Sequence, residues 1–572
     1  MNDGCSAWNP GLESDIPPAY RKLETIYRQE NVTSRREDVY ELSKQTGLSP
    51  DEIVVFKPER LVLHELIIRV TADVLVPEGD DETDLGRSFR RITRRILANY
   101  IQPRIGEITR IHSDLRHAVY SRVRQELAET LFANRKPEPP RKTFFLFARP
   151  KTKKTVPGSG ETTVERERRT ISAFQEKAQT AEDTLSNAIY KSLSRVLDSI
   201  AANRGYLGPD QGFLTDLICN QVCNSLGSEI IGEELAPWIA AAIEEEGYPT
   251  IPIAPKPLLI SLKGASASGK SSLRPMLRQV MTDQGMAAEG YATISPDIWR
   301  RLLLDYEALR EAYKYAGRLT SQEVIIVDGK LDRYIRGKAE QGGSIPHMLV
   351  DRFRFDSFST ERIAKVLHGT YLQHVGTMFM YFLVTPPHAT VDRGWERGLK
   401  TGRYKAVEDF LDHSVEAYVG MPKILFKWLA HKRPRFKYEF LDNSVPKGTY
   451  PKTIAIGTQD EINIIDCSGF VDIVRYQKIN IRARSPGEVY PTGSQSSVKN
   501  NMGFLRQCIK KIPTVNFVDQ ATGTPYVSVH KGKFSILDQD ILAMQRNDSE
   551  RAAIFAELSP RLASSFRYPV AG

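Results

Sequence analysis

Residues Leu258 to Met281 read LLISLKGASASGKSSLRPMLRQVM. An apolar run gives way to a loop of small residues and then to a helical pattern. That change of period decides the fold class, because a strand feeding a helix through a tight loop is the opening of a βαβ unit. Gly264, Gly269, Lys270 and Ser271 satisfy GxxxxGK[ST] without a mismatch. In this setting the backbone N–H groups from Ala265, Ser266, Ala267 and Ser268 round to Ser272 ring a phosphate, and the start of the helix, read as Ser271–Gln284, adds partial positive charge. The two glycines supply backbone freedom and close approach. Lys270 then reaches the outer phosphates of ATP, and the Ser271 hydroxyl holds Mg²⁺. The competing reading is a flexible loop that matches by chance.

Working outward, the texture stays that of short apolar strands separated by helices, and the expected core is an α/β P-loop NTPase-type kinase with a parallel sheet and flanking helices. YATISPDIWRRLL places Asp297 beyond a strand end, where it would face the γ-phosphate and take a proton from an acceptor hydroxyl, or else act as a helix N-cap. Two runs compete for the acidic residue that closes the Mg²⁺ site. VIIVDG ends in Asp328 but also reads as part of one long helix with Val324, Ile325, Val327, Leu331 and Ile335 buried. IPHMLVDRFRFDSF reads as a strand ending at Asp351, with Asp356 close behind, and it is favoured because it leaves the first run as the connecting helix a parallel crossover needs. After the strand candidate GTMFMYFLVTPP comes a basic stretch. Arg393 and Arg397 share a helical face there, and Lys400 and Arg403 flank Gly402, a cluster suited to neutralising charge on a transferred phosphoryl group.

The 572-residue chain carries a net charge of +9, with 41% hydrophobic and 26% charged residues, which exceeds one core and argues against global disorder. The expected organisation is a mainly helical domain over 1–145, a linker or exposed loop over 146–165, a helical domain over 166–250, the kinase domain over 251–465 and a small mixed region over 466–572. Positive charge concentrates in Gly86 to Arg124, where Phe89, Ile92 and Ile96 recur at helical spacing among Arg90, Arg91, Arg94 and Arg95. Such a helix offers a protein, nucleic-acid or membrane-surface contact, or is simply a solvated face. The acidic N-terminus lacks the basic and apolar segments of a secretory signal, and LVLHELIIRVTADVLV (Leu61–Val76) is too interrupted by charge to span a membrane. Five cysteines do not make a disulfide framework, which fits a reducing, cytoplasmic setting. Cys219 and Cys223 read as core packing, and His64, His112 and His117 as structural or exposed.

Taken together, Leu258 to Ile456 resembles the zeta toxin family of P-loop kinases. The resemblance rests on GASASGKSSLR, SPDIWRRLL, the VTPP strand end leading to DRGWERG, TGRYKAVEDFLDHSVEAY and KYEFLDNSVPKGTYPK. It implies transfer of the ATP γ-phosphate to a hydroxyl, in studied members that of UDP-N-acetylglucosamine, with Lys270 and Ser271 handling phosphate and Mg²⁺, Asp297 the base, and Arg397 and Arg403 the lid charges. Where the family presents a Glu and a small polar residue after its third strand, this chain has Asp351, Arg352 and Phe353, which puts the nucleotide-sugar specificity in doubt. The long preceding region points to a large bacterial protein, a toxin or an effector delivered to a host cytosol. Two other function classes stand beside a small-molecule kinase. One is a nucleic-acid-binding NTPase or end kinase, and the other a nucleotide-sensing interaction protein without turnover.

Overall fold

The computed structural model describes residues 4–79, 81, 83–133, 162–283, 290–351 and 372–559. The expected linker falls largely outside these residues, as do Asp356, Arg352 and Phe353. By their contacts the residues form two compact units, Lys22–Leu66 with Arg95–Ala242, and Met1–Arg21 with Ile67–Arg94 and Ile243–Gly572. This partition departs from the expected ranges. The two helical stretches form one unit, while residues 1–21 and 67–94 belong with the sheet.

The first unit is helical. Its helices include Arg36–Thr46, Ile105–Thr130, Thr163–Thr180 and Thr184–Arg204. Thr162 and Glu165 close a capping box at the start of the third, and Gly205, at φ 82°, ends the fourth in the left-handed conformation. The core joins Val119, Val123, Leu127, Phe174, Ile189 and Leu193 with Cys219 and Cys223, the cysteines at 0% and 2% exposure. Both thiols are buried, and Cys219 Sγ donates to the Arg116 carbonyl at 3.6 Å. Arg195 bridges Glu52 through two hydrogen bonds of 2.8 and 2.9 Å. His64 is buried edge-on to Phe56, His112 is buried and His117 exposed.

The second unit is built on one mixed sheet. Its strands are β1 (Leu258–Gly264), β2 (Tyr291–Ile294), β3 (His347–Asp351), β4 (Thr377–Val384), β5 (Arg435–Asp442), β6 (Lys452–Thr458), β7 (Glu461–Ile464), β8 (Thr514–Val518), β9 (Pro525–His530) and β10 (Lys533–Ile536). They lie in the order β10-β9-β8-β7-β6-β5-β4-β1-β3-β2. From β2 to β5 all neighbours are parallel, and every residue of β1 is buried, as a strand covered on both faces must be. Leu258, Ile260 and Leu262 pack with Leu273, Leu277 and Met281 of the following helix, Lys270–Asp283, and with Leu349, Tyr381 and Leu383 of the flanking strands. VIIVDG lies inside the helix Ser321–Gly342, and β3 ends at Asp351.

Residues beyond 465 do not stand apart as a small region. β6 pairs antiparallel with β5, β7 with β6, and β8 then joins β7 in parallel after a crossover carrying the helices Cys467–Arg475 and Gly503–Lys511. The physical reason is that the open edge of β5 presents unpaired N–H and C=O groups, which the next strands satisfy in turn. The N-terminal residues also dock on this unit. Trp8 Nε1 donates to Asp392 at 3.2 Å, Ser14 N to Glu408 at 3.1 Å, and Lys314 Nζ to the Pro10 carbonyl at 2.7 Å. No described helix is long and apolar enough to cross a membrane.

Candidate functional site

Register places the site. Leu262 lies abreast of Asp351, Gly264 of Leu383, Val384 of Asp442 and Ile294 of Val350. The carboxyl ends of five parallel strands therefore meet at one edge. The chain leaves β1 toward β2 and β3 on one side and returns to β4 and β5 on the other, so the crevice expected at a topological switch point opens at the loop after β1.

That loop is held by contacts that tolerate no larger residues. A Cβ on Gly264 would stand 2.4 Å from Ser268 Oγ, and one on Gly269 only 2.1 Å from Asn443 Nδ2, with Gly269 at φ 96°. Ser268 O accepts from Asn443 Nδ2 at 2.6 Å and from Thr385 Oγ1 at 3.1 Å, so the ends of β5 and β4 tie the loop down. Ala267 packs against the apolar cluster that contains Val391 and Phe410. Lys270 Nζ donates to the carbonyls of Gly264 and Ala265, each at 2.9 Å. Burial holds its ammonium below the ordinary range, opposed by the charges of Asp351 and Asp297. Ser271 Oγ donates to Asp351 Oδ2 at 3.3 Å, and buried Arg274 stands 4.0 Å from the same oxygen and 3.6 Å from Glu78.

Asp297 follows β2 in the short turn of helix Pro296–Trp299. Arg300 Nε reaches its Oδ1 at 2.9 Å and Arg403 Nη1 its Oδ2 at 2.6 Å. Burial pushes this carboxyl up, but the charges of Arg403 and Arg300 overcome it and hold the group far below the usual carboxylate range. The side chain keeps 42% of its surface exposed, and the N-cap of this turn is Ser295, so Asp297 is an ionised, solvent-reachable carboxylate and not the cap.

The basic stretch is positioned by its glycines. On the helix Pro387–Thr401, a Cβ at Gly394 would fall 2.0 Å from the Phe410 ring and one at Gly398 2.5 Å from the Tyr404 ring. With no side chain there, the helix Val407–Leu429 closes against this one, and the Arg397 guanidinium lies 6.0 Å over Phe410. The charges that reach Lys270 are those of Asp351, Asp297, Arg397 and Arg403, which brings every expected catalytic and metal-binding residue to one place. Arg393 does otherwise. Its Nη2 donates to the carbonyls of Asn443 and Val445 at 2.8 and 3.1 Å, bracing the turn after β5, while its Nη1 stands 3.8 Å from where a Cβ on Gly269 would be. Lys400 pairs with Asp81 at 2.8 Å.

Sequence reading passed over Thr385, Asn443, Arg300 and the pair Lys405 and His413. The first two carried a usable signal, being polar residues immediately after buried strands. Lys405 and His413 meet at 2.5 Å between nitrogens. Burial and then the Arg403 charge push Lys405 well below its usual value, while burial and then the Lys405 charge bring His413 down to about 2. Chemically, the arrangement sets a glycine-bounded loop, a lysine, two carboxylates and two guanidinia around one crevice.

No model of a known protein family matches the chain, and no curated protein matches it. Among solved structures, a native crystal structure of an AvrRxo1-ORF1:-ORF2 complex is similar at 12% identity and a TM-score of 0.27. That likeness covers 40% of this chain and 65% of the other, and neither fold nor function is carried over from it.

Proposed function

We propose that the sheet-bearing unit is a P-loop kinase of the zeta toxin type, moving the γ-phosphoryl group of ATP to a hydroxyl of a small molecule such as a UDP-amino sugar or another nucleotide. The supporting observation is the convergence on Lys270 of Asp297, Asp351, Arg397 and Arg403, beside a loop whose glycines admit no Cβ. In the reaction the acceptor oxygen forms a bond to Pγ, the bond from Pγ to the β,γ-bridging oxygen breaks, and the hydroxyl proton passes to Asp297 as ADP leaves. An aspartate held so far below its ordinary range is a weak base. It suits a loose transition state in which the proton moves late and orientation of the hydroxyl matters more than basicity. Arg403 and Arg397 then neutralise charge spreading over the transferred group.

The donor set fits Mg²⁺. Ser271 Oγ and Asp351 Oδ2 are hard oxygens 3.3 Å apart, and this ion takes one or two protein oxygens beside substrate phosphates rather than a full protein cage. Bound with ATP, it would supply charge neutralisation at the β- and γ-oxygens. A bacterial toxin or effector working in its own or a host cytosol belongs to the same proposal.

The test is transfer from ATP to a panel of UDP-sugars, nucleosides and short oligonucleotides, followed by mass spectrometry. The wild type should phosphorylate one class, and Asp297→Asn should lose about 10²- to 10⁴-fold in kcat while keeping its affinity for an ATP analogue. One observation favours a second reading. Both Asp297 oxygens are engaged by guanidinia, as befits a locked nucleotide sensor, and tight ATP binding without transfer to any acceptor would select that reading instead.

A further inference from the structure

A cavity of about 410 Å³ is bounded by Arg90, Arg94, Arg301 and Tyr306, with Asp305 and Glu307 at its wall. All of these residues belong to the sheet-bearing unit. Arg90 and Arg94 are one turn apart on the helix Asp84–Ile96, whose other face buries Phe89 and Ile92. The half-buried Arg90 and the exposed Arg94 both line the cavity from this helix. Gly86 permits the approach, since a Cβ there would stand 3.1 Å from Arg90 Nη1 and 3.6 Å from Ile298, the residue after Asp297.

The charges in the cavity are unbalanced. Among the described residues neither Arg90 nor Arg94 has a carboxylate within ion-pair distance. Burial first, and then the charges of Arg301, Arg94 and Arg87, disfavour the charged form of Arg90. Arg301 lies 4.6 Å over the Tyr306 ring and donates to the Thr401 carbonyl. Asp305 and Glu307 are exposed, and an Asp305 oxygen is occupied by the Glu307 backbone N–H at 3.0 Å. Three guanidinia against two exposed carboxylates, neither of them ion-paired to Arg90 or Arg94, favour an oxyanion, and their forks suit a phosphate better than a single carboxylate. The cavity adjoins the reaction centre through its own wall. Arg301 follows Arg300, which holds Asp297, and the charges of Arg300, Arg403 and Asp297 all reach Tyr306.

We infer that Arg90, Arg94 and Arg301 bind a phosphate or pyrophosphate group of the acceptor, so that the hydroxyl presented to Asp297 belongs to a phosphorylated small molecule. This inference rests on the phosphotransferase reading for its word acceptor, but the anion subsite is testable without turnover. Inorganic pyrophosphate is titrated calorimetrically into full-length Lys270→Ala protein, whose loop is disabled, and into the same protein carrying Arg90→Ala and Arg94→Ala. The expected result is binding that weakens about tenfold or more with the two arginines removed. Arg94→Ala alone, at an exposed position, should give a smaller weakening and leave the fold intact.

Absence of pyrophosphate binding to Lys270→Ala, or equal binding with and without the arginines, overturns the subsite. A short oligonucleotide that displaces pyrophosphate with a steep salt dependence overturns the small-molecule acceptor in favour of nucleic acid. In turnover with otherwise wild-type protein, Arg90→Ala/Arg94→Ala should raise KM for a nucleoside 5′-diphosphate about tenfold and leave KM for the bare nucleoside unchanged. Failure of the wild type to bind an ATP analogue sinks the phosphotransferase reading by itself and leaves the pyrophosphate titration to judge the subsite.

Discussion

The loop after β1 and the arginine cavity are both fitted to phosphate, yet they are assembled in opposite ways. The loop is one contiguous octet, Gly264 to Ser271, whose donors are backbone amides and whose shape is set by two glycines and the start of a helix. The cavity takes two side chains from the helix Asp84–Ile96 and others from the stretch after β2, more than 200 residues later in the chain. A site made of backbone must spell out its conformation locally, because only certain residues adopt it. A site made of side chains from distant segments carries no local spelling at all.

The sharpest way to break this comparison is Gly269→Val. A β-branched residue at φ 96°, with Asn443 Nδ2 in the place of its Cβ, cannot keep the loop closed. We expect loss of affinity for an ATP analogue by about 100-fold and a stability cost of about 1–3 kcal/mol, read by calorimetry and urea unfolding. Pyrophosphate binding in the cavity should survive, and its loss would mean that the two sites are one.

A second measurement separates two arginines that the sequence presents alike. Arg403→Ala, which removes the partner of Asp297, should lower kcat about 10²- to 10³-fold with little change in KM for ATP. Arg393→Ala removes a brace from the Asn443 and Val445 carbonyls, so it should cost about 1–3 kcal/mol in unfolding free energy and raise KM for ATP. Equal kinetic profiles for the two variants would erase the distinction.

The smallest effect concerns pH. His413 is held down to about 2 from an ordinary value of 6.5, so the unfolded chain binds its proton first. Its contribution to stability is fully present above pH 6.5 and is lost as pH falls through the acid range toward 2. Urea midpoints of wild type and His413→Gln should therefore diverge less at pH 5 than at pH 7.5, and a constant difference would show that the imidazole is not kept neutral by its surroundings.

Much of the sheet was legible because buried parallel strands announce themselves as short apolar runs. β1, β3 and β4 lie where LLISL, HMLV and MFMYFLV predicted them, and Asp328 falls inside a helix because its run carries apolar residues at helical spacing. The fate of residues beyond 465 was not legible. Their strands are short and follow no parallel-sheet rhythm, and what recruits them is the open edge of β7, to which β8 pairs, a property of the assembled sheet. The roles of Arg393 and Arg403 were equally hidden, since spacing on a helix says which face a guanidinium shares but not which acceptor waits opposite. Lys405 and His413 gave no signal, for neither residue has an unusual neighbour until burial brings their nitrogens together.

By itself, then, the order of residues determined the strand, the octet and the helix that follows, because steric limits on φ and the absence of a side chain at Gly264 and Gly269 act within a few bonds. Only the tertiary structure decided which carboxylate faces which guanidinium, and that Arg90 and Arg94 line a cavity with Arg301 and Tyr306. Coulomb attraction and desolvation depend on distance and burial, and these come into being when segments far apart in the chain are packed together.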